Sequence, residues 1–245
     1  VALHFLTEDA ATAAVGALVT LTGSEAHHAA MVRRVRPQEQ VTLGDGAGVW
    51  LTGECTLVEP KRVEVRITAR EQIPAPTPRI VLVQALAKGD RDELAVQAAT
   101  ELGADEIVPW QASRSVSRWL PGKADKGRAR WQTIVREAAK QAHRAWVPRV
   151  AEVVPTSGIA ARAAASRVLV LEPTGTVRLT AVEFDASDGR DVVLVVGPEG
   201  GIAPEELTAL TDAGATVVAL GDTVLRTSTA GPAALAVVST LLGRW

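Results

Sequence analysis

Two groups of residues in this chain carry chemistry in their types and spacing. The first is the run Gly197, Pro198, Glu199, Gly200 and Gly201, set between an apolar stretch and a proline-led helix start. A glycine-rich turn at such a junction commonly cradles a phosphate. A P-loop, however, needs lysine and then serine or threonine after its last glycine, and Gly201 is followed by Ile202, Ala203 and Pro204. A dinucleotide fingerprint needs G-x-G-x-x-G, and Glu199 would set a carboxylate against the pyrophosphate. The run suits a ligand that approaches the main chain closely without strong negative charge. A purely structural turn also accounts for Pro198, for the glycines and for Pro204 at a first helical position. Glu205 and Glu206 complement the positive end of the helix that follows.

The second group is basic. Arg33, Arg34 and Arg36 lie together with His28 nearby, and a second set including Arg114, Arg136, Lys140 and Arg144 runs on to Arg149. Arginine suits bidentate contact with phosphate, and a solvated helix face is the competing reading.

These residues need elements to position them. "IVLVQAL", "DEIVPW", "RVLVLEP", "VVLVVG" and "TVVALG" are short, nearly continuous apolar runs, the pattern of strands buried on both faces of a parallel sheet. Two further strand ends resemble the glycine run in form. One is "LEPTG", with Leu171, Glu172, Pro173 and Thr174; the other carries Leu220, Gly221, Leu225 and Arg226 ahead of a small-residue helix starting near Thr229. Loops at the carboxyl edge of one open sheet converge on one pocket. "DRDELAVQAATELG" reads as a helix with Asp90 and Glu93 in capping-box spacing, an end at Gly103, and Leu94, Ala98 and Leu102 on one apolar face.

The first 70 residues differ. "KRVEVRITAR" alternates like a half-buried strand, and "VTLGDGAGVWLTGECTLV" reads as strand, glycine turn, strand. One helix, "SEAHHAAMVRRVRP", capped by Ser24, interrupts this β-rich module. Three prolines between Pro74 and Pro78 mark a boundary. The expected division is 1–72 for the β-rich domain, 73–79 for a linker and 80–245 for an α/β domain.

With 245 residues, 47% of them hydrophobic, the chain can bury a substantial core. Its net charge of -2 argues against coating nucleic acid indiscriminately, so RNA contact must come from local patches. No apolar run reaches the roughly 18 to 20 residues of a membrane span, and a soluble cytoplasmic protein is expected. The single cysteine, Cys55, is expected to be a buried apolar residue, and no metal-ligand spacing is visible.

Taken together, "KGDRDELAVQAATELGADEIVPW", "SRSV", "RWQTIVREAAKQAHRAWVPRV", "VVGPEGGIAPEEL" and "LGDTVLRTSTA" resemble, in order, the ribosomal RNA small subunit methyltransferase E family. These are 16S rRNA uridine N3-methyltransferases within the SPOUT, or knotted, methyltransferases. "GSEAHHAAMVRRVRPQEQVTLGDGAG" is similar to that family's N-terminal PUA-like RNA-binding module. The resemblance implies a small PUA-like β-barrel followed by an α/β domain with a mostly parallel sheet and a deep trefoil knot, an exception to the rule against threading.

It further implies S-adenosyl-L-methionine in the knot, homodimers, and 16S rRNA of the small subunit as substrate. The cofactor walls implied are Leu171 to Gly175, Gly197 to Gly201, and Leu220 to Ala230, with Leu220, Gly221 and the run Leu225, Arg226, Thr227, Ser228, Thr229 and Ala230 as the contacts in the last. A sulfonium cation makes Glu199 tolerable or helpful there.

The chain departs from the family pattern at three places. Ser228 stands where the family usually has glutamate, "QAHRAW" replaces a Gly-Arg pair with Arg144 as the nearest match, and "ALHFL" lacks an arginine before Phe5.

Methylating N3 of uridine requires loss of a proton retained at neutral pH and alignment with the methyl donor. The implied cationic aids are Arg114 and Arg144 near the nucleotide, with Arg226 shaping the last loop; Glu137 and His143 are weaker base candidates. RNA docking falls to His28, Arg33, Arg34 and Arg36, with Arg114, Arg136 and Lys140. The alternatives are a ribose 2'-O-methyltransferase of the same superfamily and a non-catalytic RNA-binding assembly factor.

Overall fold

The computed structural model describes residues 2–185 and 187–245. The chain divides into two compact units, Val1–Ala75 with Ala139–Val147, and Pro76–Ala138 with Pro148–Trp245. The first unit is therefore not contiguous in sequence: a segment expected in the α/β domain is counted with the N-terminal one.

In that unit β1 (Leu3–Leu6), β2 (Leu18–Thr22), β3 (Gln40–Gly44), β4 (Val49–Glu59) and β5 (Arg62–Gln72) form one sheet in the order β1-β3-β4-β5-β2. The register between β4 and β5 shifts at Thr52/Gly53 and again at Cys55/Leu57, and such bulges curl a sheet. Gly53 is required there, because a Cβ would lie 2.5 Å from Val65 Cγ1 and 2.8 Å from the Arg66 carbonyl oxygen. Cys55 is buried in this core, and burial pushes its thiol up to about 11.

The "SEAHHAAMV" segment differs from the single helix expected. It forms α1 (Gly23–His27), N-capped by Thr22 rather than Ser24, and then a wide π-type turn over His28–Val32. Arg34 then takes a left-handed φ of 56°, next to buried Val35.

The second unit contains β6 (Ile80–Ala85), α2 (Arg91–Glu101), β7 (Glu106–Trp110), most of α3 (Ala124–Gln141), β8 (Arg149–Val150), α4 (Thr156–Ala160), β9 (Arg167–Leu171), β10 (Val177–Arg178), β11 (Val192–Val196), α5 (Pro204–Asp212), β12 (Thr216–Ala219) and α6 (Thr227–Leu241). Its sheet runs β10-β12-β9-β11-β6-β7-β8, and every pairing is parallel. β6, β7 and β11 are buried at every position. Valine-rich strands do this because branched side chains pack on both faces of a pleated sheet. One face holds Val81, Val83, Val108, Trp110, Val193 and Val195 against Ile159, Ile202 and Leu210. On the other, Gly231 of α6 sits so close to the sheet that a Cβ there would meet Leu82 at 3.0 Å and Val196 at 3.4 Å.

α2 corrects two expectations. Asp90 is its N-cap but makes no side-chain capping bond, and Glu93 pairs instead with Arg130 on α3. The buried face is Asp92, Ala95, Val96, Ala99 and Thr100, while Leu94 is 51% exposed. Small residues turn inward because this helix packs closely on α6.

Candidate functional site

β12, β9 and β11 are neighbours in the sheet, so the loops after them leave one edge side by side. Between those loops lies a cleft of about 370 Å³. Leu171, Glu172 and Pro173 form one wall; Gly197, Pro198, Glu199 and Gly201 form the second. Leu220, Gly221, Leu225, Arg226, Thr227 and Ala230 form the third. Thr223 and Val224, within the expected third wall, also line it, as do Val196 and Ile202, which the sequence reading does not include.

Thr174, Gly200, Ser228 and Thr229 lie outside the lining. Thr227 and Ala230, three apart on α6, share the face that lines the cleft, and the two residues between them do not. The departure at Ser228 therefore falls off the wall of the cleft.

The walls are fixed by short links to distant strands. The Gly201 N–H donates to the Pro198 carbonyl at 2.9 Å, closing a tight turn in which Gly201 takes a φ of 73°. Thr227 Oγ1 donates to the Gly197 carbonyl at 2.9 Å and accepts from Gln84 Nε2 at 2.9 Å. Thr227 thus ties α6 to the glycine loop, its hydroxyl held in turn by Gln84, which is fully buried on β6. The one visible signal of Gln84 in the sequence is a lone polar residue in an apolar run.

Glu199 is committed within the protein. Its Oε1 accepts from the Lys88 N–H at 3.0 Å and from Arg91 Nη1 at 3.1 Å, binding the β6–α2 loop to the glycine loop. Burial would raise its pKa, but its own backbone N–H, that of Lys88 and the Arg91 guanidinium outweigh burial and hold the carboxyl below its ordinary value. Lys88 and Arg91 were not singled out from sequence, although "KGDR" displays both. The cleft lining holds two carboxylates, Glu172 and Glu199, with Arg226 as its single cationic side chain.

Arg114, on the loop after β7, is exposed and donates from Nη1 to the Gly200 carbonyl at 3.1 Å. Its Cβ lies so near Gly200 that a Cβ added there would stand 3.3 Å away, a crowded contact. Arg226 caps α6, its carbonyl accepting the N–H groups of Thr229 and Ala230. Arg136 and Glu137 are exposed on α3.

The remaining candidates belong to the N-terminal unit. Arg33, Arg34 and Arg36 are exposed around buried Val35, and the His28 ring meets Phe5 edge-on at 6.3 Å. Arg144 donates its backbone N–H to the Ala139 carbonyl, and His143 takes a left-handed φ of 54°. Lys140 is only 7% exposed, its ammonium 2.9 Å from Glu25 Oε1, so its charge is spent inside the unit rather than offered to RNA. His4 stacks on Trp50 with centroids 4.3 Å apart, and burial, with His143 and Lys140 nearby, lowers its pKa to about 4.

Two family models match the chain, the larger of them running through residues 139–147, which the fold groups with the N-terminal unit. Residues 74–239 match the RNA methyltransferase domain family, and residues 21–68 match the RNA methyltransferase PUA domain family. The chain is 46% identical over 237 residues to ribosomal RNA small subunit methyltransferase E of Mycobacterium tuberculosis, spanning 94% of this chain and 89% of that protein. The Bacillus subtilis protein of the same name is 31% identical over 230 residues, spanning 90% and 89%. A ribosomal RNA small subunit methyltransferase E from Neisseria gonorrhoeae, solved bound to S-adenosyl methionine, superposes with a TM-score of 0.86 at 31% identity over 98% of each chain. A Legionella pneumophila protein solved with the cofactor SAM gives a TM-score of 0.85 at 29% identity, over 98% of this chain and 97% of that one.

Proposed function

Because the chain belongs to the RNA methyltransferase family that includes ribosomal RNA small subunit methyltransferase E, we propose that it transfers a methyl group from S-adenosylmethionine to N3 of a uridine in 16S rRNA of the small ribosomal subunit. The observation that carries this reading is the cleft formed by three loops at the carboxyl edge of the sheet. Its volume falls in the range of pockets for ligands of this size, roughly 300 to 1,000 Å³.

The donor set fits as well. Main chain from two glycine-bearing loops can meet the adenine and ribose, Leu171 and Leu225 give apolar walls, and two carboxylates offset by one arginine tolerate a sulfonium where a phosphate would be repelled. When bound, the cofactor supplies an electrophilic methyl group on that sulfonium.

The protein's own part is to align N3 with that methyl and to stabilise the charge that N3 carries once its proton has left. Arg114 is assigned that electrostatic role, because its guanidinium is anchored on the Gly200 carbonyl beside the loop that lines the cleft. Arg226 holds the last loop through the start of α6. Arg33, Arg34 and Arg36, with His28, Arg136 and Arg144, are assigned to RNA. The same reading takes a knotted crossing of the three loops and a homodimer as the working form, in the cytoplasm where ribosomes assemble.

Incubating the protein with methyl-labelled cofactor and unmodified 30S subunits, then digesting the RNA for nucleoside mass spectrometry, tests the proposal. The expected product is 3-methyluridine. Label in a ribose 2'-O-methyl nucleoside, or no transfer, overturns it.

A further inference from the structure

Glu206 lies in the first turn of α5, directly after the glycine loop, yet its carboxylate is not turned to solvent. The residue is 7% exposed. Its Oε1 accepts the Ser113 N–H at 2.9 Å and the Thr156 hydroxyl at 2.7 Å. Its Oε2 accepts the Ser113 hydroxyl at 2.9 Å and, at 3.4 Å, the Ala203 N–H. The Thr156 oxygen accepts in turn from Nε1 of buried Trp110 at 3.2 Å. Burial opposes the charged form, but these four donors together hold the carboxyl below its ordinary value.

A cap needs far less than this. One acceptor on Ala203 would serve the helix, whereas three of the four bonds reach across the sequence to the β7 loop and to α4. Ser113 is the residue before Arg114, and its carbonyl is held separately by Arg118 Nη2 at 3.2 Å. Ser113 is therefore held at its N–H, its hydroxyl and its carbonyl, on both of the peptides that flank it.

We infer that Glu206 is a positioning residue for Arg114: its buried carboxylate fixes Ser113, and with it the main chain that sets the Arg114 guanidinium on the Gly200 carbonyl beside the cleft. The inference rests on the role assigned to Arg114 in the proposed methyl transfer. Glycine loop and arginine loop are thereby held in register by one side chain whose helix grows out of the glycine loop itself.

The test is a double-mutant cycle on the full-length protein with Glu206→Gln, Arg114→Ala and the pair combined. It is read as total methyl transfer to 30S subunits, as cofactor affinity by calorimetry and as urea stability. Glu206→Gln puts an amide donor against donors. It is expected to lower kcat by roughly 10- to 100-fold, the scale of a small misplacement of a reacting group, while cofactor affinity stays within about twofold. In the Arg114→Ala background the same change is expected to cost nothing further in kcat.

Losses that multiply in the double variant overturn the inference, as does unimpaired turnover by Glu206→Gln beside an impaired Arg114→Ala. Full turnover by Arg114→Ala removes both the inference and the assigned role of Arg114. Transfer to a different atom of the RNA would correct the proposed specificity and leave the cycle standing, since total transfer is what the cycle reads.

Should Glu206→Gln fail to fold, Ser113→Ala carries the cycle, because it leaves the backbone bond to Glu206 in place. A several-fold loss that disappears in the Arg114→Ala background supports the inference, and an equal loss in both backgrounds overturns it.

Discussion

Glu199 and Glu206 bring the same side chain to the two ends of one loop, and their partners set them different tasks. Glu199 joins the glycine loop to Lys88 and Arg91, with the arginine half exposed. An ion pair of that exposure contributes only about 0.2 to 1 kcal/mol. Glu199→Gln is therefore expected to weaken cofactor binding by less than about fivefold in calorimetry at neutral pH. Glu199→Ala also strips the acceptor from the Lys88 N–H and is expected to cost roughly tenfold, the scale of a hydrogen bond to a charged group. A loss beyond about a hundredfold for the glutamine variant would mean that the carboxylate acts directly on the ligand's charge. The pH dependence has a definite sign. Both carboxyls are depressed in the folded protein, so their contribution is complete above the ordinary carboxylate range and declines as pH falls through the lowered folded values.

At the scale of elements, β11 and the turn after it decide the shape of the cleft. A Cβ at Gly197 would stand 2.7 Å from Ile202 Cγ1, and Ile202 is buried in the core beneath the sheet. Gly197→Ala must therefore push the loop outward. It is expected to cost about 1 to 3 kcal/mol, seen as a lower urea midpoint with an unchanged slope, and to weaken cofactor binding. Gly221→Ala is the contrast, since nothing lies within 4 Å of its added methyl and stability should hardly move.

The five buried strands were legible in the sequence, because continuous branched apolar runs have few other folds available to them. The three loops that meet at the cleft were legible for the same reason, once the strands were set in one sheet. Gln84 was not, because its partner Thr227 lies 143 positions away and no local pattern joins them. Nor was the inward face of α2, where the close approach of α6 favours Ala95 and Ala99 over Leu94. The burial of Lys140 depended likewise on Glu25, 115 positions distant.

For the whole molecule, a net charge of -2 leaves RNA affinity to local patches, and the exposed turn at Arg33, Arg34 and Arg36 is the one assigned to phosphate. Replacing all three with alanine is expected to weaken binding to ribosomal RNA and to make the plot of log affinity against log salt shallower by roughly two to three, with cofactor affinity unchanged. Unaltered RNA affinity would remove the assignment.

The interrupted N-terminal unit has a temporal consequence. Residues 139–147 supply it with the Lys140 partner of Glu25, the bridge between Trp146 and Ala47, and the Val147 N–H bonded to the Gly46 carbonyl. During synthesis the first 75 residues emerge without these contacts, while β6, α2 and β7 are made next. At about 5 to 20 residues per second, the wait for the completing segment lasts several seconds. The first unit is thus completed only after part of the second has been made, and a lesion within 139–147 strikes the unit whose synthesis began first.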